Sequence, residues 1–201
     1  MTNMVLASAS PRRRALLAAL GLDFEVVVSG AEETFDGTPA EMVVTNARAK
    51  RDDAVKKIAP GPIVIAADTL VFLGEHVLGK PADRAEACAM IARLSGNTHH
   101  VLTGLSIVDT STGRTAEGYE STGVTFRDLT PSEIEAFVDA VNPIDRAGAY
   151  TVDGPGSLLV ARYDGCYQNV LGLPIVRLDR LLRELGVSLF EEMNAARCLF
   201  L

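Results

Sequence analysis

Val5-Leu6-Ala7-Ser8-Ala9-Ser10-Pro11-Arg12-Arg13-Arg14 runs from a short strand into a helix. Val5 to Ala7 is apolar, Ser10 suits an N-cap, and Pro11 suits the first helical position, where a missing N–H costs nothing. Leu16, Leu17 and Leu20 continue as an apolar helical face. The three arginines thus sit at the positive end of the helix dipole, each disfavoured by about 0.3–1 kcal/mol. Two readings follow. The turn binds an anion through backbone N–H groups, serine hydroxyls and guanidinium forks, or it is an exposed basic turn whose arginines point into water. Two other helices start conventionally: Thr38-Pro39-Ala40-Glu41 and Thr130-Pro131-Ser132-Glu133 match the capping box. Arg13 at the third helical position breaks that pattern, which favours the anion site.

Outward from this turn, helical periodicity covers residues 11–20, 39–57, 83–94, 131–141 and 174–185. Between them lie strand-like runs at Phe24–Val28, Pro62–Ala67, Leu70–Phe72, Val101–Asp109, Gly118–Phe126 and Ser157–Arg162. Such alternation defines an α/β protein. The runs 101–109 and 118–126, joined by Thr110-Ser111-Thr112-Gly113-Arg114, read as a hairpin and make the sheet mixed. Residues 187–201 form a tail with no legible chemistry.

The 201 residues suit one domain or two closely joined lobes, with material for a substantial core. Hydrophobic residues make up 48% and charged residues 22%, an ordinary globular balance. The net charge of −7 argues against a broad nucleic-acid surface, which needs a basic stripe. A small polyphosphate is still compatible, because screening over roughly 8 Å lets local arginines govern their own pocket. Apolar runs are too short to span a bilayer, and no secretory h-region follows a basic start. Cys88, Cys166 and Cys198 are odd in number and lack metal-ligand spacing, which fits a reducing compartment. The expectation is a cytoplasmic protein that engages neither nucleic acid nor membrane.

Ile63-Val64-Ile65-Ala66-Ala67-Asp68-Thr69 carries the second signal. A continuous apolar strand buried on both faces delivers Asp68 at its C-terminal end, the edge where open α/β sheets bind ligands. A carboxylate there needs a partner or a metal; otherwise it only caps the turn. Lys80 would be that partner if residues 70–78 fold back through Gly74-Glu75. On the second helix, Val43, Ala47, Lys50 and Ala54 share one face, so Lys50 either snorkels outward or meets an anion. Glu33, taken alone, is an ordinary loop acid. The stretch Asp145 to Ser157 is rich in glycine, which serves close ligand approach or plain turns. Walker A, HExxH and nucleophile-elbow patterns are absent.

Taken in order, several segments resemble the Maf family of nucleoside triphosphate pyrophosphatases. They are Leu-Ala-Ser-Ala-Ser-Pro-Arg-Arg-Arg at 6–14, Glu-Glu-Thr at 32–34, Ala-Asp-Thr at 67–69 and Leu-Gly-Lys-Pro at 78–81. Leu-Ser-Gly-Asn-Thr-His at 94–99, Thr-Gly at 103–104, Arg-Ala-Gly-Ala-Tyr at 146–150 and Asn-Val-Leu-Gly-Leu-Pro at 169–174 complete the set. The resemblance implies one domain over residues 1–201: an elongated α/β fold around a central mixed sheet, two lobes flanking a substrate cleft, related to the inosine triphosphate pyrophosphatases. It implies hydrolysis of a nucleoside triphosphate to the monophosphate and pyrophosphate, with a divalent metal such as Mg or Mn, and a possible homodimer.

On matching positions, the resemblance makes Asp68 the proton acceptor. Ser8, Arg13, Glu33, Lys50 and Lys80 become phosphate- and metal-site residues, with Glu33 and Asp68 holding the metal. Arg12 and Thr69 match the branch that prefers dTTP and UTP, whereas Asp153 replaces that branch's usual glutamine and resembles purine-type members. Ala47-Arg48-Ala49-Lys50-Arg51 keeps the family's lysine but not its neighbours. The competing expectations are a purine or 7-methyl-GTP pyrophosphatase, a non-catalytic nucleotide-binding regulator of cell division, and a nucleotidyltransferase requiring a second substrate.

Overall fold

Strand β1 (Met4–Leu6) passes into helix α1 (Pro11–Ala19), followed by β2 (Glu25–Val26) and α2 (Pro39–Val55). The computed structural model describes residues 3–199. Next come β3 (Ile63–Leu73), β4 (His76–Leu78), α3 (Arg84–Leu94), β5 (Thr98–Asp109), β6 (Thr115–Phe126) and α4 (Pro131–Val141). The chain continues through β7 (Val160–Asp164), α5 (Tyr167–Val170), α6 (Ile175–Glu184) and α7 (Leu189–Glu192). Hydrogen bonds order the strands β2-β1-β3-β5-β6-β7, with β4 also paired to β3. Strand β1 is parallel to β2 and β3, while β3–β4 and β6–β7 are antiparallel, so the sheet is mixed as expected.

The chain divides into two compact units. The first takes the described parts of residues 1–69, 103–120 and 172–201. Its strands alternate in the way a pleated ribbon must. Met4, Leu6, Ile63, Ile65 and Ala67 turn one face toward Leu17 of α1 and Leu178, Leu181 and Leu182 of α6. Val5, Ala7, Val64 and Ala66 turn the other face toward Ala54 of α2. Each fully buried leucine contributes about 1.5–3 kcal/mol. Helix α2 also lies directly on β5, because a Cβ at Gly104 would stand 2.2 Å from the Val43 carbonyl oxygen. Only glycine allows that approach, and it fixes the depth of the helix that carries Lys50.

The second unit comprises residues 70–102 and 121–171. Val71, Leu78, Ile91, Leu94, Val124, Phe126 and Phe137 form its core. His99 is fully buried there, with its Nε2 atom 2.6 Å from the Tyr150 hydroxyl. The His99 ring meets those of Phe126 and Tyr150 edge-on at centroid separations of 5.0 and 5.3 Å, the geometry that ring quadrupoles favour.

Both expected capping boxes are present, at Thr38/Glu41 and Thr130/Glu133. The hairpin between β5 and β6 also forms, with the Asp109 N–H donating to the Arg114 carbonyl at 2.9 Å. Strand β3 differs from expectation. It is one strand of 11 residues rather than two runs broken at Asp68 and Thr69. The ladder continues because both polar side chains find partners without leaving it. Residues Gly154–Leu158 form a 3-10 turn, so β7 begins later than the apolar run at 157–162 implies. Part of the tail is helical, as α7. Among the described residues no helix is long and apolar enough to cross a membrane.

Candidate active site

The opening turn answers its charge problem by sending one arginine inward. Ser10 Oγ accepts the Arg13 N–H at 3.4 Å and Ser8 Oγ accepts the Ser10 N–H at 3.2 Å, so the serines build the turn. Arg12 and Arg14 are exposed, whereas Arg13 is buried. Its Nε donates to the Gly172 carbonyl at 2.7 Å, and its Nη1 to Ser8 Oγ at 3.2 Å and the Ala67 carbonyl at 2.8 Å. Its Nη2 donates to Thr69 Oγ1 at 2.9 Å. Four of the five guanidinium N–H groups are therefore engaged by the protein. Burial holds the Arg13 guanidinium below its ordinary value; the charges of Asp68 and Glu33 offset part of that effect, and neighbouring Arg12 adds to it. A hollow of about 460 Å³ opens beside this turn, lined by Ser8, Ser10, Arg14, Ala18, Val26 and Val28 among others.

Strand β1 stops at Leu6, opposite Ile65, and the Ala7 N–H adds one more bond to the Ile65 carbonyl at 2.8 Å. Asp68 lies in the stretch of β3 past this point. It is therefore not the end of its strand, as the sequence implies, but it does stand beyond the end of the neighbouring parallel strand. Successive strand side chains point to opposite faces. Thr69 accordingly meets Arg13 and, at 2.9 Å, the Thr103 hydroxyl on β5. Asp68 turns to the α2 side.

Asp68 is 3% exposed. Its Oδ1 receives Lys50 Nζ at 2.5 Å, and its Oδ2 receives Asn46 Nδ2 at 3.1 Å. The same Lys50 ammonium lies 2.7 Å from Glu33 Oε1. Of the two fates open to Lys50, the structure shows the inward one, with the anion supplied by the protein itself. Asn46 and Lys50 are one helical turn apart on α2, the spacing that puts both side chains on one face.

Two arginines flanking Lys50 belong to a separate network. Arg48 grips Glu117 with both ends of its fork, Nε to Oε1 at 2.9 Å and Nη2 to Oε2 at 2.5 Å. Arg51, itself buried, donates to Ser106 at 2.8 Å and to Glu117 at 3.0 Å. Arg48 is the main reason the Glu117 carboxyl sits below the usual range. Arg51 also pairs with Asp52 at 2.7 Å, so two guanidiniums meet two carboxylates, and the bonds to Ser106 and Glu117 brace α2 against β5 and β6. That accounts for the unusual residues around Lys50.

Seven of the nine expected site residues (Ser8, Arg12, Arg13, Glu33, Lys50, Asp68 and Thr69) fall in the first unit, and Lys80 and Asp153 in the second. Residues 70–78 do fold back, with Val71 opposite Leu78, yet the cation bonded to Asp68 is Lys50. Lys80 is exposed just past β4, where the Gly79 carbonyl accepts the Gly148 N–H at 3.0 Å. Asp153 is exposed and accepts the Thr151 hydroxyl. Its loop is tight: a Cβ at Gly156 would stand 1.6 Å from the Thr151 carbonyl oxygen.

Among the described residues no group of three or more His, Cys, Asp or Glu side chains could cage a metal. Glu33 and Asp68 offer two hard carboxylates that converge on one point, now held by Lys50 Nζ. That donor set fits a small dication sharing its shell with phosphate and water oxygens, not a metal held by protein alone. Asn46 was not singled out by the sequence, and its one signal is its place a turn ahead of Lys50. The partnership of Arg51 with Ser106 and Glu117 had no sequence signal, because it is purely tertiary.

This α/β fold is shared with a HAM1 protein from Coxiella burnetii, at a TM-score of 0.52 and 16% identity over 92% of this chain and 100% of that one. At that identity the likeness concerns the fold alone. The family model described as Maf-like protein matches residues 3–185, and the chain belongs to that family. It is 43% identical over 190 residues to a dTTP/UTP pyrophosphatase of Desulforamulus reducens, covering 94% of this chain and all of the relative. A dTTP/UTP pyrophosphatase of Moorella thermoacetica is 46% identical over 195 residues, covering 94% and 98%.

Proposed function

We propose that this protein hydrolyses nucleoside triphosphates, dTTP and UTP foremost, to the monophosphate and pyrophosphate, clearing them from the cytoplasmic nucleotide pool. The observation that carries the reading is the single Lys50 ammonium shared by Asp68 and Glu33, placed beside the arginine turn. Near-full-length identity to two dTTP/UTP pyrophosphatases supports the substrate class.

A triphosphate brings about four negative charges, so neutralisation comes first. In this reading Lys50 Nζ leaves Asp68 Oδ1 for a phosphate oxygen, exchanging one anionic partner for another. Oδ1 is then free to take a proton from water while Oδ2 stays on Asn46 Nδ2. The water oxygen bonds to the α-phosphorus, the bond from that phosphorus to the bridging oxygen breaks, and pyrophosphate leaves. Glu33 and Asp68 would hold a divalent ion such as Mg or Mn, which supplies charge neutralisation when bound. Arg13 keeps Ser8 and Thr69 in place and adds fixed positive charge. Lys80 is assigned a phosphate contact, and Arg12, Thr69 and Asp153 are assigned to base selection, on the family resemblance. The reading treats residues 1–201 as one domain.

The test is pyrophosphate release from dTTP, UTP, CTP, GTP and 7-methyl-GTP, each with Mg or Mn. The expected result is fastest release from dTTP and UTP. Preference for a purine would move the substrate to the class that Asp153 resembles. Binding without release from any of the five would overturn the catalytic reading.

A further inference from the structure

We propose that Asn46 is the positioning residue that sets Glu33 against Asp68; the proposal rests on reading this site as the triphosphate-hydrolysing one. Residues 27–36 contain neither helix nor strand, so no ladder holds Glu33. Its side chain is 42% exposed, and its bond to Lys50 joins a group that must move when substrate arrives. An exposed ion pair of that kind is worth little as a tether.

The neighbouring residue is held differently. Asn46 Oδ1 accepts the Thr34 N–H at 2.8 Å, and Asn46 Nδ2 donates to the Thr34 carbonyl at 3.0 Å. The second Nδ2 hydrogen goes to Asp68 Oδ2 at 3.1 Å. One side chain, 1% exposed and anchored in the middle of α2, thereby takes both backbone groups of Thr34 and one oxygen of Asp68. The amide orientation is dictated by these partners, since the reverse would aim a carbonyl at two acceptors. The loop's other bonds to the body of the unit come earlier, from the Val27 N–H to the Leu6 carbonyl, Lys57 Nζ to the Val28 carbonyl and the Gly30 N–H to Asp53 Oδ2. The last of them is three residues before Glu33. Asn46 is therefore what keeps the two carboxylates together once Lys50 turns to phosphate. Asn46 meets neither the substrate nor the reacting water; it acts through Glu33 and Asp68.

The experiment compares Asn46→Leu, Asn46→Asp, Glu33→Gln and the double variant Asn46→Leu/Glu33→Gln. It reads kcat and KM on dTTP with Mg, and amide hydrogen exchange at Thr34. The loss should fall on kcat. The double variant should lie within about threefold of its weaker single parent, because both changes remove one unit. The Thr34 N–H should exchange at least about tenfold faster in Asn46→Leu. In Asn46→Asp, which keeps an acceptor for that N–H, exchange should stay slow while kcat falls. Losses that multiply in the double variant, or unchanged Thr34 exchange in Asn46→Leu, would overturn the proposal. Should Asn46→Leu not fold, Asn46→Ala paired with Glu33→Gln supplies the same cycle and the same exchange readout. A wild-type protein that releases no pyrophosphate would sink the functional reading instead, and the exchange measurement would still judge the tether.

Discussion

Lys50 Nζ stands 2.5 Å from Asp68 Oδ1, so a carboxylate buried in β3 is neutralised by an ammonium from α2. Asp68 depends on this partner more than Lys50 does, since Lys50 also holds Glu33 and is partly exposed. An unpaired carboxylate at that depth is expensive, and a lysine facing it gains from the same low-dielectric setting.

Removing the cation should therefore be felt twice. Lys50→Met leaves Asp68 and Glu33 facing each other, and Asp68 keeps only its Asn46 bond. Breaking a buried pair costs up to roughly 3–5 kcal/mol. The value here should fall below that, because the Lys50 side chain is 17% exposed. Urea unfolding checks the stability loss, and kcat/KM should drop at least about a hundredfold if Lys50 also receives phosphate. A variant with unchanged stability and turnover would contradict both roles.

Arg13 links the β1–α1 turn, β3 and Gly172 through four hydrogen bonds. Lysine cannot reproduce a planar fork aimed at separate acceptors. Arg13→Lys should thus destabilise almost as much as Arg13→Ala, by several kcal/mol, since each bond to a charged donor is worth roughly 1.5–3 kcal/mol. Recovery of wild-type stability in the lysine variant would show that charge, not geometry, is what the position requires.

Much of this arrangement was legible beforehand, and the exceptions have physical reasons. The order of helices and strands follows from apolar period, and the capping boxes mark where α2 and α4 begin. The inward face of α2 was readable from Val43, Ala47 and Ala54. What Lys50 meets was not, because residues 33, 50 and 68 come together only in the folded chain. Asp68 and Thr69 read as a strand end, since two polar residues after a greasy run usually are. Here each finds a partner on its own face and the ladder runs on to Leu73. Asn46 stayed unnoticed because an asparagine inside a helix ordinarily faces water.

His99 offers a test of the second unit alone. Burial lowers its pKa to about 4, with His100 adding to the effect. Its ordinary value is about 6.5, so between those two pH values the unfolded chain binds a proton that the folded one refuses. Stability should be complete above pH 6.5 and decline as pH falls toward 4, by roughly 1.4 kcal/mol per pH unit at the steepest. His99→Gln should flatten that decline by one proton, measured by urea unfolding across the window. An unaltered slope would place the titration elsewhere.

The most direct test is pyrophosphate release by Asp68→Asn set beside the wild type, on dTTP and UTP with Mg or Mn. Asparagine keeps the shape and a hydrogen-bonding oxygen but cannot take a proton, so turnover should fall by about 10²–10⁴ while circular dichroism stays that of the folded protein. Release at the wild-type rate from a folded Asp68→Asn variant would contradict the account at its centre.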